Sequence, residues 1–136
     1  MIIFKNKTIL ITGGTGSFGN YFVNFLLKNA KPKKIIIFSR DEFKQYNMKN
    51  AIHPKYHEKL RFFIGDVRDL SRLEFATNEV DFLIHSAAMK QVEASEYNPM
   101  ECIKTNIIGT ENVIKACITN KISKAILVST DKAVNP

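Results

Sequence analysis

A glycine-rich segment directly after the first apolar run constrains the fold of this chain more than any other feature. The run TILIT, at residues 8–12, is rich in β-branched residues and continues into GGTGSFG and then a helical pattern. Gly13 suits a tight turn, Gly16 lets a ligand approach the backbone, and Gly19 allows a helix to pack closely. This order predicts a strand, a turn and a helix whose N-terminus favours an anionic group.

Short β-rich runs alternate with longer helical patterns along the rest of the chain. Such alternation is typical of successive βαβ units in a parallel sheet. Right-handed crossovers then predict an α/β fold with a doubly wound, Rossmann-like sheet of five strands in the order 3-2-1-4-5, truncated after strand five. Strands are predicted at residues 8–12, 34–39, 60–64, 80–85 and 124–129, and helices at 17–29, 41–49, 70–77 and 99–120.

The composition predicts a single globular domain. The chain has 136 residues, of which 45% are apolar and 24% are charged, so it can bury a core but has no length for a second domain. No apolar run approaches the roughly 20 residues of a membrane span, and the N-terminus lacks the pattern of a signal peptide. We therefore expect a cytoplasmic protein without a membrane partner.

The basic charge does not by itself indicate a nucleic-acid partner. The formal charge of +7 comes from 16 Lys and 4 Arg that are scattered along the chain, with one small cluster at Lys31, Lys33 and Lys34. They form neither a basic stripe nor a known recognition motif, so we expect a solvated surface and no nucleic-acid binding. Small anionic ligands remain compatible with this charge.

Neither the cysteines nor the closely spaced histidines predict a special site. Cys102 and Cys117 fall in one predicted helix, too far apart to bond, so both are expected to be free thiols. His53 and His57 lie in residues 50–58, which read as a surface loop because of Pro54 and the mixed polar residues. We expect no metal site there.

The residues at the end of the second predicted strand indicate whether the chain binds NAD or NADP. A carboxylate at this position hydrogen-bonds the ribose 2′-hydroxyl of NAD but repels the 2′-phosphate of NADP. Here Ser39 takes that position, Arg40 offers a forked phosphate donor, and Lys44 lies one helical turn beyond. These residues favour NADP as the cofactor. The alternative is that Asp41 binds the ribose of NAD and Arg40 is only a surface charge.

Further cofactor contacts are expected from the other strand ends. Asp66 and Val67 follow the third strand, where they would lie beside the adenine, and small residues follow the fourth strand, where they would let the cofactor approach closely. A loop of small residues without a ligand is the alternative interpretation. Together with the glycine loop, the expected cofactor residues are Gly13, Thr15, Gly16, Ser17, Phe18, Gly19, Asp66, Val67, Ser86, Ala87 and Ala88.

Several motifs in order carry a resemblance to a known family. The loop TGGTGSFG resembles that of the extended short-chain dehydrogenase/reductases. The segments SRDE (39–42), GDVRD (65–69), HSAAMK (85–90), EYNP (96–99), KTN (104–106) and STDKA (129–133) are similar to the inverting UDP-N-acetylglucosamine 4,6-dehydratases. The similarity runs along the whole chain, and Thr130-Asp131-Lys132 is its most specific element.

This resemblance implies a nucleotide-sugar lyase of polysaccharide biosynthesis that acts on a UDP-sugar, inverts C5 through a 4-keto intermediate and forms a homo-oligomer. It makes Lys132 the base at C5, Asp131 the acid for the C6 hydroxyl, and Thr130 a hydrogen-bonding partner of the sugar. Lys90 would contact both cofactor and substrate. Without the resemblance, Asp131 would read as a helix cap, and Lys132 and Lys90 as surface charges.

One part of the family pattern is missing. The family's Tyr-x-x-x-Lys pair is expected shortly after Pro136, and none of the four tyrosines of this chain has a lysine four residues later. We therefore expect residues 1–136 to be a partial NADP-binding domain without the C-terminal substrate-binding region, and to be inactive alone. The alternatives are a nucleotide-sugar 4-epimerase and a non-catalytic dinucleotide-binding module.

Overall fold

Five parallel strands form one sheet in the computed structural model, which describes residues 2–129 of the chain. The order of the strands is β3-β2-β1-β4-β5, which confirms the predicted order. All four pairings between neighbours are parallel, so the carboxyl ends of the strands lie at one edge of the sheet. The strands are β1 (Thr8–Thr12), β2 (Lys34–Ser39), β3 (Leu60–Ile64), β4 (Phe82–His85) and β5 (Lys124–Leu127).

Helices connect the strands and cover the sheet. α1 and α2 follow β1 and β2, α3 follows β3, and the segment between β4 and β5 contains the remaining helices. The helices are α1 (Ser17–Asn29), α2 (Glu42–Ala51), α3 (Leu70–Ala76), α4 (Val92–Tyr97), α5 (Pro99–Ile103) and α6 (Gly109–Thr119). A π-helical turn at Lys104–Ile108 joins α5 to α6, and 3-10 turns occupy Ile2–Phe4 and Pro54–Lys59.

The central strand β1 is fully buried and divides the core in two. Ile9 and Ile11 belong to a cluster with residues of α1, whereas Leu10 belongs to a second cluster on the opposite face, with residues of α3 and α6. Alternate residues of a strand point to opposite faces, so a strand covered on both sides reads as a continuous apolar run. The helical partners include Val23 and Leu26 on the first face, and Leu73, Val113 and Ala116 on the second.

The predicted helix at residues 99–120 is confirmed as a continuous helical segment, but a π-helical turn interrupts it. The structure divides it into α5, the π-helical turn and α6. A Cβ at Gly109 would lie 2.6 Å from a methyl group of Val67, so the start of α6 passes very close to the loop after β3. The apolar spacing of the sequence does not indicate such a turn, and Met100, Ile103, Ile107 and Ile108, which follow helical spacing, are exposed in the structure.

The short helix α4 was not predicted. None of its residues is buried, so no apolar stripe marks it in the sequence. Conversely, the segment predicted as a loop at residues 50–58 holds the last turn of α2 and most of a 3-10 turn. There His53 accepts a hydrogen bond from the backbone N–H of Lys55, and His57 bonds the carbonyl of Ile52.

Other predicted boundaries shift by one or two residues. β4 begins at Phe82 because Val80 closes the turn after α3, where its N–H bonds the carbonyl of Thr77. β5 ends at Leu127, although the N–H of Val128 still bonds β4. Asp41 caps α2 instead of starting it, and Thr77 caps α3 instead of ending it.

Cys102 and Cys117 are free and half-buried. Within residues 2–129, no group of three or more metal-ligating side chains is arranged to hold a metal ion. In the same part of the chain, no helix is long and apolar enough to cross a membrane.

Candidate functional site

A cleft opens where β1, β2, β3 and β4 end, and we call it the strand-end cleft. Open parallel sheets bind ligands at this edge, where the direction of the chain connections reverses. Most of the residues predicted for the cofactor lie on its wall, including Lys90. The wall is formed by Gly13, Thr15, Gly16, Phe38, Ser39, Arg40, Asp41, Lys44, Gly65, Asp66, Val67, Ser86, Ala87, Ala88, Lys90 and Thr105.

The glycine loop forms one side of the strand-end cleft. Gly13 has φ +65°, in the left-handed region that side chains rarely adopt, and a Cβ there would lie 2.8 Å from the backbone N of Ala87. Gly16 is the N-cap of α1, and among residues 2–129, apart from its two chain neighbours, a Cβ built on it would have only the carbonyl oxygen of Gly13 within 4 Å, at 3.2 Å. The backbone at Gly16 is therefore open to the cleft.

The other predicted residues of this loop lie away from the cleft wall. Ser17 and Phe18 are exposed in the first turn of α1, where Phe18 stacks on Phe22 with ring centroids 5.5 Å apart. Gly19 is buried, and a Cβ on it would collide with the backbone of Gly14. Gly19 thus sets the distance between the helix and the loop.

Ser39 at the end of β2 is held by a glutamine that the sequence did not single out. The buried Gln45 donates from its side-chain amide to Ser39 Oγ at 2.9 Å, to the Ser39 carbonyl at 3.2 Å and to the Phe63 carbonyl at 2.9 Å. Because Ser39 Oγ accepts from Gln45, its own proton can be donated to a ligand.

The cations of the strand-end cleft have acidic neighbours. Asp41 Oδ1 accepts the backbone N–H of Lys44 at 2.9 Å, and its Oδ2 lies 3.7 Å from Lys44 Nζ. Arg40 is exposed, with Nη1 3.7 Å from Asp66 Oδ2. Asp41 therefore caps α2, while Arg40 keeps most of its guanidinium free for an anion.

Hydrogen bonds to β1 and to the π-helical turn fix the segment after β4. Ser86 Oγ donates to the carbonyl of Thr12 at 2.7 Å. Asn106 accepts the backbone N–H of Met89 at 2.8 Å and donates to its carbonyl at 2.9 Å. Ala87, Ala88 and Lys90 consequently line the cleft on a firmly held backbone.

A buried histidine connects these two segments beneath the cleft. Thr110 Oγ1 donates to the Asn106 carbonyl at 2.7 Å and lies 3.2 Å from His85 Nε2, while His85 Nδ1 lies 2.7 Å from Thr12 Oγ1. Burial lowers the pKa of His85, so the ring is neutral at pH 7. The bond of Thr110 to the carbonyl indicates that His85 carries its proton on Nε2 and accepts at Nδ1. Thr12, His85 and Thr110 do not line the cleft themselves, but Thr12 Oγ1 accepts the backbone N–H groups of Ser86 and Ala87, so these bonds support the cleft wall from beneath.

Three residues of the cleft wall were missed by sequence reasoning: Phe38, Gly65 and Thr105. Gly65 stands directly before Asp66, so its position in sequence could have indicated it. Thr105 lies in the π-helical turn and is only 5% exposed, and its hydroxyl has no hydrogen-bonding partner within the described part of the chain. Thr105 falls within the KTN motif (104–106) of the family resemblance, which could have indicated it, whereas the burial of its hydroxyl is visible only in the folded chain.

The predicted catalytic residues Thr130, Asp131 and Lys132 lie outside the described residues. The last described residue is Ser129, two positions after the end of β5. The last residue of β5, Leu127, pairs with His85 at the end of β4.

Comparison with known proteins supports the resemblance. A family model described as "Polysaccharide biosynthesis protein" matches residues 9–136. The UDP-N-acetylglucosamine 4,6-dehydratase (inverting) of Campylobacter jejuni subsp. jejuni serotype O:23/36 (strain 81-176) is 58% identical over 134 residues, which are 98% of this chain and 39% of that relative. The UDP-glucose 4-epimerase of Rickettsia typhi (strain ATCC VR-144 / Wilmington) is 50% identical over 137 residues, with the same shares covered. This chain therefore spans 39% of the length of these relatives.

Solved structures agree with the fold. The X-ray structure of Pen from Bacillus thuringiensis has a TM-score of 0.90 and 40% identity, over 99% of this chain and 40% of that chain. DesIV (dTDP-glucose 4,6-dehydratase) from Streptomyces venezuelae, solved with NAD and TYD bound, has a TM-score of 0.75 and 27% identity, over 87% of this chain and 38% of that chain.

The family match extends from within β1 to the last residue of the chain. The order of the sheet and the position of the strand-end cleft agree with the motifs that first indicated the resemblance. This chain belongs to the family of polysaccharide biosynthesis proteins.

Proposed function

We propose that the strand-end cleft binds NADP and that the whole protein is a nucleotide-sugar dehydratase. The observation that carries the cofactor assignment is that one cleft combines the open backbone of Gly16 at the N-terminus of α1 with the side chains of Ser39, Arg40 and Lys44. Backbone N–H groups at a helix N-terminus suit a pyrophosphate. A hydroxyl, a guanidinium and an ammonium suit a ribose 2′-phosphate better than a ribose hydroxyl.

The residues on the wall fit such a ligand in a second way. The hydroxyl of Thr105 is buried at the cleft and has no partner among residues 2–129. A buried polar group without a hydrogen bond is costly, so a ligand that supplies one gains affinity. Because this hydroxyl has almost no exposed surface, the side chain of Thr105 must turn toward the cleft to reach a ligand, and we assign it a hydrogen bond with the bound dinucleotide in that orientation.

Replacing Thr105 by valine tests this assignment, because valine keeps the shape and removes only the hydroxyl. We expect NADP⁺ to bind roughly 3- to 10-fold more weakly, the effect of one neutral hydrogen bond. The melting temperature should stay the same or rise, since an unpaired buried hydroxyl is removed. Calorimetric titration and thermal melts measure both quantities. Thr119→Val at the exposed C-terminal end of α6 is the control, and unchanged affinity in Thr105→Val rejects the assignment.

For the whole protein we propose the 4,6-dehydration of UDP-N-acetylglucosamine. The reaction passes through a 4-keto intermediate and inverts the configuration at C5. The 58% identity to a dehydratase of that name supports this, as does the motif Thr130-Asp131-Lys132. When bound, NADP⁺ supplies the oxidation at C4 and the later reduction at C6. In this proposal Lys132 removes the C5 proton, Asp131 protonates the departing C6 hydroxyl, Thr130 hydrogen-bonds the sugar, and Lys90 contacts cofactor and substrate.

The reaction is tested by incubating the whole protein with UDP-N-acetylglucosamine in deuterated water. Mass spectrometry is expected to show loss of one water and deuterium at C5. Lys132→Ala should still bind NADP⁺ but lose deuterium incorporation at C5, because the base is absent. If Lys132→Ala incorporates deuterium at the parent rate, Lys132 is not the base.

The same experiment separates the alternatives. The 50% identity to a UDP-glucose 4-epimerase favours an epimerase as the second candidate. An epimerase would give a product of unchanged mass that differs at C4. A non-catalytic dinucleotide-binding module would bind NADP⁺ and leave the sugar unchanged.

A further inference from the structure

The strand-end cleft contains a carboxylate that opposes a phosphate ligand. Asp66 lines the cleft with Arg40, and its Oδ2 lies 3.7 Å from Arg40 Nη1. An uncompensated Asp66 would attract Arg40 and repel a phosphate placed between Arg40 and Lys44. The proposed preference for NADP therefore requires that the charge of Asp66 be balanced by another group.

Arg68 supplies this balance from outside the cleft wall. Its Nη2 and Nε donate to Asp66 Oδ2 at 2.7 and 2.9 Å, and its backbone N–H donates to Oδ1 at 3.0 Å. These contacts are much shorter than the 3.7 Å that separates Arg40 from Asp66. Both carboxylate oxygens of Asp66 are thus engaged by Arg68.

Arg68 is itself fixed from two directions. Its Nη1 donates to Glu101 of α5, and Asn112 of α6 donates to the Arg68 carbonyl at 3.0 Å. Glu101 also pairs with Lys104 at 2.9 Å. A guanidinium held in this way loses little additional freedom when it binds Asp66.

We propose that Arg68 is a positioning residue that neutralises Asp66 and so leaves Arg40 available for the 2′-phosphate of the dinucleotide. The inference rests on the proposed NADP site and deepens it, because it adds a residue that sets the preference for the phosphorylated cofactor without touching it. Asp66 needs this partner at neutral pH. Burial raises the pKa of Asp66, but the hydrogen bonds from Arg68 and the charges of Arg68 and Arg40 outweigh burial and hold the pKa below its usual value. Asp66 is therefore ionised.

Replacing Arg68 by methionine tests the inference, since methionine keeps much of the length and loses the charge. We expect NADP⁺ to bind roughly 5- to 30-fold more weakly, or about 1–2 kcal/mol, and NAD⁺ to change by less than about twofold. The ratio of the two affinities is the readout, measured by calorimetric titration. In the double variant Asp66→Asn/Arg68→Met the ratio should return toward that of the unmodified chain, because the opposing charge is gone.

Control variants distinguish a change in the ratio of NADP⁺ to NAD⁺ affinity from a general disturbance of the fold. Arg61→Met removes an arginine at the opposite end of β3 and should leave the ratio unchanged. Arg68→Lys keeps a positive charge and should keep most of the ratio. If Arg68→Met does not fold, Arg68→Gln serves instead, with the same expected fall in the ratio.

The possible failures are distinguishable. An unchanged ratio in Arg68→Met, or no recovery in the double variant, overturns the role of Arg68 alone. Equal weakening of NADP⁺ and NAD⁺ shows that Arg68 only maintains the fold of the loop and also overturns it. If the unmodified chain binds neither dinucleotide, or binds both equally, the proposed NADP site itself is wrong.

Discussion

In the Arg40→Ala variant, NADP⁺ is expected to bind roughly 10- to 150-fold more weakly, while NAD⁺ affinity changes by less than about twofold. A charge-assisted hydrogen bond to phosphate contributes about 1.5–3 kcal/mol, which corresponds to this range. NAD has no phosphate at that position, so it loses little. Arg40 is suited to the role because its guanidinium is exposed at the cleft and only loosely paired, at 3.7 Å from Asp66.

Calorimetric titration of both cofactors against the unmodified chain and the variant measures this difference. Arg61→Ala, which removes an arginine from the other end of β3, is the matched control and should affect neither cofactor. Equal affinity of the unmodified chain for NADP⁺ and NAD⁺ contradicts the assignment. The remaining interpretation would then be that Asp41 binds the ribose of NAD, although one of its oxygens already caps α2.

The second large effect is expected when two glycines of the glycine loop are replaced by alanine. One replacement should mainly lower the stability of the fold, and the other should mainly weaken cofactor binding. Gly13→Ala should destabilise the fold by about 2–5 kcal/mol, because alanine is strained at φ +65° and its Cβ would lie 2.8 Å from the backbone N of Ala87. Backbone cannot move aside as a flexible side chain can. The melting temperature should fall by roughly 10 °C or more.

Gly16→Ala should instead cost less stability and mainly weaken binding. Its φ of −74° suits alanine, but its new Cβ would lie 3.2 Å from the backbone carbonyl oxygen of Gly13, so we expect a clearly smaller fall in melting temperature than in Gly13→Ala. The methyl group would stand where the dinucleotide approaches the backbone, so NADP⁺ binding should weaken at least about 10-fold.

Circular dichroism melts and titrations of both variants test the pair. A Gly13→Ala variant as stable as the parent contradicts the steric account. Normal NADP⁺ affinity in Gly16→Ala would show that the ligand does not approach the backbone there.

The order of the sheet and much of the cleft could be predicted from the amino-acid sequence alone. The fully buried strand β1 reads as a continuous apolar run, and the alternation of strands with helices leaves few connections that obey the right-handed rule. The carboxyl ends of parallel strands meet at one edge, so residues at or just after these ends, such as Ser39, Asp66 and Ala87, were predictable as neighbours. These features depend on short segments and on general rules of chain connection.

The pairing of side chains across these segments is visible only in the folded chain. The bond of Arg68 to Glu101 joins positions 33 residues apart, and that of Asn112 to Arg68 joins positions 44 apart. The buried hydroxyl of Thr105 likewise lies in a π-helical turn that the apolar spacing of the sequence does not indicate. Periodicity reports the face on which a residue lies. The partner of a polar group depends on distances of a few tenths of an ångström, which arise only when the elements pack.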